Sequence, residues 1–243
     1  MVRFGIKLAC VIGFTSTVSA PAWAAPSGVI KGTVKFEGAP PDRIPLRRDT
    51  DPYCAKGEAF ADDVIVTTGK LKDVIVRVKS GSLPAVTSAD AAAMPPVLVD
   101  QKDCRYSPHV VGVVAGQKLA IRNSDGTFHN VHGSIAGALI WNKPAVPGQP
   151  DLELTNPAKP GDVIDIACDV HPWMHAYAVV QDHAAFAVTG EDGSFELKGL
   201  PPGTYTLEAW HPALGKQTVN VTIGKAAKPV SAQLSYKRTD LKK

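Results

Sequence analysis

The sequence predicts an all-β protein built of two β-sandwiches. Short stretches in which apolar and polar residues alternate are separated by turns, and the chain contains 21 glycines and 20 prolines to form them. This pattern is typical of antiparallel sheets packed face to face. No stretch has the 3.6-residue period of a long amphipathic helix. A change of composition near residue 183 indicates that a second sandwich ends the chain.

The first 24 residues have the pattern of a secretory signal peptide. Arg3 and Lys7 precede an apolar run, which ends at the small residues Ala22 and Ala24. The run is too short to anchor the protein, and no later run reaches the ~18 apolar residues of a membrane span. We therefore expect export, with the bacterial periplasm as the compartment.

The charge of the exported chain is close to zero. Removal of residues 1–24 leaves 24 basic and 23 acidic residues, a net charge of +1. A nearly neutral chain gives no reason to expect nucleic acid as a partner.

Alternation with a period of two predicts the strands of the first sandwich in order. Residues 25–182 are assigned to this unit, with the early strands as additions to it, and residues 183–243 to the second unit. The predicted strands are residues 28–36, 62–68, 73–79, 97–99, 109–114, 118–122 and 163–167.

The residues from Asn123 to Met174 contain a set of side chains suited to a soft metal. His129 lies upstream, and Cys168, His171 and Met174 follow within seven residues of one another. Two imidazoles, one thiolate and a weak axial thioether are typical of an electron-transfer copper centre. The phase of the preceding strand places Ile164, Ile166 and Cys168 on one buried face, so the ligands would lie on the turn that follows.

These residues resemble the ligand segments of the cupredoxins, and within them the amicyanin type. The segments are His129-Asn-Val-His132 and Cys168-x-x-His171-Pro-aromatic-Met174. The resemblance covers roughly residues 105–181 and implies a Greek-key β-sandwich with one mononuclear copper ion. It implies His129, Cys168, His171 and Met174 as the ligands.

The same resemblance implies roles for two asparagines and a set of partners. The Asn123 side chain would tie the two ligand loops together, and the backbone N–H of Asn130 would donate to the Cys168 sulfur. The partners would be transient redox proteins, namely an amine-oxidising dehydrogenase and a c-type cytochrome.

The C-terminal unit resembles a different family. An Asp192-Gly193 turn followed by Leu200-Pro-Pro-Gly-Thr-Tyr205 is similar to the carboxypeptidase regulatory-like domains, which have a prealbumin-like β-sandwich. The early strand at Gly32 also resembles the first strand of that fold. Two arrangements stay open: the copper unit is inserted between two pieces of one module, or the early strands belong to the copper sandwich.

Three cysteines follow the expected cleavage site: Cys54, Cys104 and Cys168. In an oxidising compartment two of them should pair. If Cys168 binds a metal, Cys54 and Cys104 form the disulfide. The alternatives are two free buried thiols or a second soft-metal site, because sequence alone does not fix connectivity.

Apolar residues next to the expected ligands suggest where electrons enter. Phe128, Pro172 and Trp173 would surround an exposed edge of His171 and form a small contact patch. The alternative for Trp173 is packing beneath the ligand turn. The neighbouring His132 and His175 are expected not to bind the metal.

The function expected from these features is one-electron transfer through copper. Such a carrier needs neither a substrate pocket nor an acid–base pair, so an enzyme is not predicted. Two other hypotheses stay open: a Cu(I) storage or delivery protein with the same ligands, and a non-redox binding module whose second sandwich contacts a partner.

Overall fold

The computed structural model describes residues 27–81 and 83–242, and it confirms the predicted all-β fold with two β-sandwiches. The expected signal peptide lies outside the described residues. The elements within these ranges are β1 Gly28–Glu37, β2 Val66–Thr67, β3 Lys70–Leu71, β4 Ile75–Ser80, α1 Ser88–Ala93, β5 Val97–Lys102, β6 Arg105–Ser107, β7 Val110–Val114, β8 Leu119–Asn123, β9 His129–Ile135, β10 Ala138–Ala145, β11 Leu152–Leu154, β12 Val163–Ala167, β13 His175–Gln181, β14 Phe186–Val188, β15 Ser194–Leu200, β16 Gly203–His211, β17 Gly215–Ile223, β18 Val230–Lys237 and a 3-10 helix, Arg238–Asp240.

Strands β5–β13 form the sandwich that we call the central sandwich. One sheet has the strand order β10-β9-β12-β13-β7, and the other has the order β11-β8-β5-β6. Most neighbours are antiparallel, but β7 runs parallel to β13 and β5 runs parallel to β8. The hydrophobic core between the sheets includes Val99, Ile121, Val131, Ile164 and Ile166, all of which are almost completely buried.

The remaining strands form a second sandwich from both ends of the described chain, which we call the flanking sandwich. One sheet contains β15, β1, β3 and β2, with β18 paired in parallel to β1. The other has the order β14-β4-β16-β17. The expected boundary at residue 183 does not coincide with these sheets, because β1 and β4 hydrogen-bond with strands that follow it. The central sandwich is thus inserted between two parts of the flanking sandwich.

Apolar and polar contacts join the two sandwiches. Trp210 of β16 packs against Tyr177 of β13, with ring centroids 5.9 Å apart, and Val179 of β13 belongs to the same buried cluster. Nearby, the Arg77 guanidinium donates to the Gln181 side chain at 3.5 Å. The central sandwich therefore packs against the sheet of the flanking sandwich that contains β4 and β16.

The described residues contain one short α-helix, α1, in the connection between β4 and β5. Thr87 caps it, because its side-chain oxygen accepts the backbone N–H of Asp90 at 3.1 Å. No helix among the described residues has the length and apolar character that crossing a membrane requires.

Candidate metal centre

A tight turn between β12 and β13 carries three of the four side chains that the sequence singled out. Ile164 and Ile166 point into the core from β12, and Cys168, two residues further on, is buried on the same side. The chain then turns back at once. The backbone N–H of Cys168 donates to the carbonyl of Met174 at 3.2 Å. The backbone N–H of Met174 donates in turn to the carbonyl of His171 at 2.9 Å.

The fourth side chain, His129, reaches the turn from the neighbouring strand β9. His129 Nδ1 lies 2.8 Å from His171 Nδ1, and Cys168 Sγ lies 3.8 Å from the same nitrogen. All three donor atoms lie within 4.8 Å of one another. Each of the three side chains is at most 2% exposed. Two imidazole nitrogens and one sulfur therefore converge in a site closed to solvent.

Met174 is buried in the same hydrophobic cluster as Cys168, with 1% of its surface exposed. A buried thioether near two imidazoles and a thiol matches the donor types of a copper electron-transfer site. The sulfur–nitrogen separation of 3.8 Å also fits a shared ion. Sulfur and nitrogen donors at the zinc distances of about 2.3 and 2.0 Å and about 120° apart lie about 3.7 Å from each other. Two nitrogens would lie about 3.5 Å apart, so the two imidazoles, now 2.8 Å apart, would separate slightly to admit an ion. These residues fit copper, which His129, Cys168 and His171 could hold with Met174 alongside.

The electrostatics of the site favour a thiolate. Burial alone would raise the pKa of Cys168, but hydrogen bonding from His129 and from the backbone N–H of Asn130 holds this pKa below its ordinary value. Burial alone would lower the pKa of His129, but Asp125 and Cys168 raise it to about 9. Burial lowers the pKa of His171. A metal ion would take the place of the proton that His129 otherwise holds beside the thiolate.

Each imidazole bonds to a carboxylate through its other nitrogen. His129 Nε2 lies 2.9 Å from Asp125 Oδ2, and His171 Nε2 lies 3.0 Å from Asp51 Oδ2. Asp125 is in the loop before β9, whereas Asp51 comes from a segment far upstream of the central sandwich. With Nε2–H donating to a carboxylate, each Nδ1 is left free to offer its lone pair to a bound metal ion once the proton on His129 Nδ1 is displaced.

The upstream segment, residues 48–57, covers the site, and we call it the cap segment. The predicted disulfide between Cys54 and Cys104 is confirmed and fastens this segment to the β5–β6 turn. Cys54 Sγ lies 3.8 Å from His171 Nε2. The His171 ring is only 1% exposed. The expectation of an exposed His171 edge is therefore wrong, because the cap segment covers that edge.

The two asparagines hold the ligand loops in an unexpected way. Asn123 Nδ2 donates to the carbonyls of Thr127 and Ala145, so it braces the loop before His129 against β10. The link between the two ligand loops comes from Asn130. Its Oδ1 accepts the backbone N–H of Asp169 at 2.6 Å, and its Nδ2 donates to the Asp169 carboxylate at 2.7 Å.

The expected patch residues differ in exposure. Phe128 is 44% exposed and Pro172 is exposed, whereas Trp173 is half-buried against the central core. The Trp173 indole N–H donates to the carbonyl of Cys104 at 3.0 Å. Its ring centroid lies 5.1 Å from that of His171. The partly exposed Trp173 ring therefore lies directly beside the buried His171 ring.

The sequence did not reveal Asp51 and Asp125 as parts of the site. Asp125 lies four residues before His129, which is a usable indication. Asp51 lies 120 residues before His171, and it has no local motif to mark it. Its place depends on the fold of the cap segment, which the disulfide completes.

Part of this chain matches several solved structures over nearly their whole length. A purple cupredoxin from Nitrosopumilus maritimus matches at 21% identity, covering 35% of this chain and 99% of its own, with a TM-score of 0.30. Amicyanin from Paracoccus versutus matches at 22% identity, covering 44% and 97%, with a TM-score of 0.31. A reduced Cu(I) form of an amicyanin variant at pH 4 matches at 24%, covering 44% and 98%, with a TM-score of 0.32. No protein-family model and no curated protein matches the sequence.

Proposed function

We propose that this protein is a periplasmic copper protein that transfers single electrons between transient redox partners. The observation that carries the proposal is the buried convergence of Cys168 Sγ with the Nδ1 atoms of His129 and His171. Bound copper would supply a one-electron couple between its two oxidation states. We propose that these three residues would hold the copper, with Met174 as a weaker fourth donor.

The protein scaffold supports this role by limiting rearrangement. His129 starts a strand in the middle of a five-stranded sheet, and Cys168 directly follows the neighbouring strand. Side chains fixed in this way keep one geometry for both oxidation states, so little energy goes into moving ligands when the electron arrives. The arrangement resembles a carrier rather than an enzyme.

The route of the electron to the surface is part of the proposal. Since the cap segment covers His171, we propose that electrons pass from its ring to Trp173. The exposed Phe128 and Pro172 then form the contact patch, which is small, as suits transient redox complexes. A dehydrogenase and a c-type cytochrome are the partner classes that the ligand motif implies.

The disulfide supports the periplasmic assignment. Disulfides persist in oxidising compartments such as the periplasm and are rare in the cytosol. A formed bond between Cys54 and Cys104 agrees with the exported state that residues 1–24 predict.

The experiment is to load the purified protein with Cu(II) and record its visible and paramagnetic resonance spectra. We expect an intense blue band and a narrow copper hyperfine pattern. Cys168→Ser should abolish the colour, because the thiolate–copper bond produces it. His132→Gln is the matched control: its ring lies on the same strand as His129 but pairs with Asp169 at the surface, so the colour should stay.

The outcomes separate the hypotheses. A blue protein whose colour survives Cys168→Ser would contradict the assignment. A colourless protein that binds only Cu(I) would favour storage or delivery, and a protein that takes up no copper would favour a non-redox binding module.

A further inference from the structure

Each of the two proposed ligand imidazoles forms a hydrogen bond with a buried or half-buried carboxylate. The side chain of Asp125 is 2% exposed and that of Asp51 is 19% exposed. Each carboxylate oxygen lies about one hydrogen-bond length from a histidine Nε2, at 2.9 and 3.0 Å respectively. The two contacts come from different parts of the chain, yet they place the same chemical group behind each ligand.

Asp125 is held rigidly by the β5–β6 hairpin. The two turn residues, Asp103 and Cys104, both have a φ of 55°, as a two-residue type I′ turn requires. Their backbone N–H groups donate to the two Asp125 oxygens at 2.7 and 2.9 Å. Successive N–H groups aimed at one carboxylate stabilise its negative charge. The Asp125 carboxylate is therefore fixed and charged where it meets His129.

Asp51 is held by the cap segment and by the ligand loop together. Its Oδ1 accepts the backbone N–H of Tyr53 at 2.7 Å, and its Oδ2 accepts the Thr127 hydroxyl at 2.8 Å. The cap segment itself is fastened by the disulfide and by Arg48, whose guanidinium donates to the carbonyl of Asp103 at 2.9 Å. Asp51 therefore reaches His171 only when the cap segment is docked.

We infer that Asp51 and Asp125 are positioning residues that set the orientation and the basicity of the two copper-binding imidazoles. This inference rests on the proposed copper function. A carboxylate that accepts Nε2–H holds the ring in the tautomer whose Nδ1 lone pair faces the metal. It also makes that nitrogen a stronger donor, and two negative charges near the ion stabilise Cu(II) more than Cu(I). The reduction potential is thereby held low.

The asparagine variants test the tautomer directly. In Asp51→Asn the remaining carbonyl oxygen must choose between the Tyr53 N–H and the His171 Nε2–H. If the amide nitrogen faces His171, it favours the tautomer with the proton on Nδ1, which opposes metal binding. We expect Cu(II) affinity to fall by about ten- to a hundredfold, the usual cost of losing such an outer partner. Cu(I) affinity should fall less.

The reduction potential reports the difference between the two affinities. For each tenfold by which the loss of Cu(II) affinity exceeds the loss of Cu(I) affinity, the potential rises by about 59 mV. We expect a rise in Asp51→Asn, Asp51→Ala and Asp125→Asn. If the Asp125→Asn variant fails to fold because Asp125 is deeply buried, Asp51→Ala still tests the inference, because Asp51 lies at the edge of the site.

The matched control is Asp103→Asn. It removes one carboxylate from the same hairpin turn, and asparagine accepts the positive φ of that position. Asp103 holds Asp125 and Arg48 through its backbone N–H and carbonyl, which asparagine keeps. Because its carboxylate is exposed, the variant measures the effect of losing one negative charge close to the site. The imidazole N–H resonances of the Cu(I)-loaded protein give a second readout. In the wild type both Nε2 protons should be protected from exchange, and that of His171 should lose protection in Asp51→Ala.

The results separate this inference from the proposed function. A wild type that takes up no copper would overturn both. A blue wild type with Asp51 variants whose potential and His171 proton exchange match those of Asp103→Asn would overturn the inference alone. A raised potential together with faster exchange of the His171 Nε2 proton would support it.

Discussion

Met174 supplies a weakly binding thioether on the turn that carries Cys168 and His171, and it is buried with them. Met174→Leu conserves volume, so the fold and the blue colour should persist. We expect the reduction potential to rise, because a weak donor that favours Cu(II) is lost. A tenfold loss of that preference corresponds to about 59 mV, which voltammetry measures.

Met94→Leu is the matched control for this variant. Met94 lies at the end of α1 and far along the chain from the ligand turn, so its replacement should leave the potential unchanged. A Met174→Leu potential equal to that of the control would show that the thioether does not act on the metal.

His211 predicts a pH dependence of stability that is independent of the metal. It is buried in the flanking sandwich, and this burial, together with electrostatic interactions with His109 and Lys242, lowers its pKa to about 3. Its Nδ1 accepts the backbone N–H of Ala213. The unfolded chain therefore takes up a proton below the ordinary histidine pKa of about 6.5, while the folded protein stays neutral. This contribution to stability is complete above about pH 6.5 and is lost as the pH falls toward 3.

The measurement is the free energy of unfolding in urea at pH 7 and pH 4. The loss due to His211 should be about 3 kcal/mol at pH 4. The His211→Gln variant keeps a hydrogen-bond acceptor but has no group that titrates in this range. Between pH 7 and pH 4 its free energy of unfolding should therefore fall by about 3 kcal/mol less than that of the wild type. Equal losses in both proteins would show that His211 is not held neutral.

Among the structural elements, the cap segment is the one whose contribution to the candidate site is least evident from its local sequence. The disulfide closes a loop across a sequence separation of 50 residues. In the chain-entropy estimate such a crosslink stabilises the folded state by about 4 kcal/mol. The double variant Cys54→Ala, Cys104→Ala should therefore unfold at a clearly lower urea concentration.

The same variant should expose His171, because the cap segment is then held by weaker contacts. Chemical modification of the imidazole, read by mass spectrometry in the metal-free protein, should become faster at His171. His132, which is already part-exposed, serves as the internal reference. An unchanged ratio of the two rates would mean that Arg48 and Asp51 hold the cap segment without the disulfide.

The turn that carries Cys168, His171 and Met174 was predictable from the sequence because its determinants are local. The alternation of Ile164 and Ile166 fixes the inward direction of Cys168, and the next six residues supply the other donors. The cover over His171 was not predictable in this way. It depends on contacts between Asp51 and residues about 75 and 120 positions further along the chain. Tertiary packing, and not a motif, decides which edge of a ligand histidine faces solvent.

In the whole molecule, the two ends of the described chain depend on each other. Strand β1 pairs with β15 and β18, and β4 pairs with β14 and β16. A chain that ends at residue 182 would leave β1 and β4 without these partners and expose the core residues that they cover. We expect this shortened protein to aggregate or to bind a hydrophobic dye, without a cooperative unfolding transition.

A chain that lacks only residues 238–243 is the control, because it keeps every strand. If the chain that ends at residue 182 unfolded as cooperatively as this control, strands β1 to β4 would be stable additions to the central sandwich.

The all-β architecture followed from the alternating strands, but the pairing of the sandwiches did not. Gly32 and its neighbours fit either unit by pattern, since period-two alternation records which face is buried and not which strand lies alongside. The parallel register of β1 with β18, from Ile30↔Val230 to Glu37↔Lys237, joins residues two hundred positions apart. Only the folded sheet reveals such a partnership.

Strands β4 and β14 are antiparallel neighbours, with Phe186 opposite Arg77 and Val188 opposite Ile75. The central sandwich consequently lies where a hairpin would need only a short turn, whereas the cap segment precedes β4. Closing a longer loop costs little more conformational entropy than closing a short one. The junction between β4 and β14 should therefore tolerate replacement of the segment inserted there. The flanking framework could be engineered to carry another module there. Excision of the central sandwich alone would separate it from the cap segment, and so from Asp51 and Cys54.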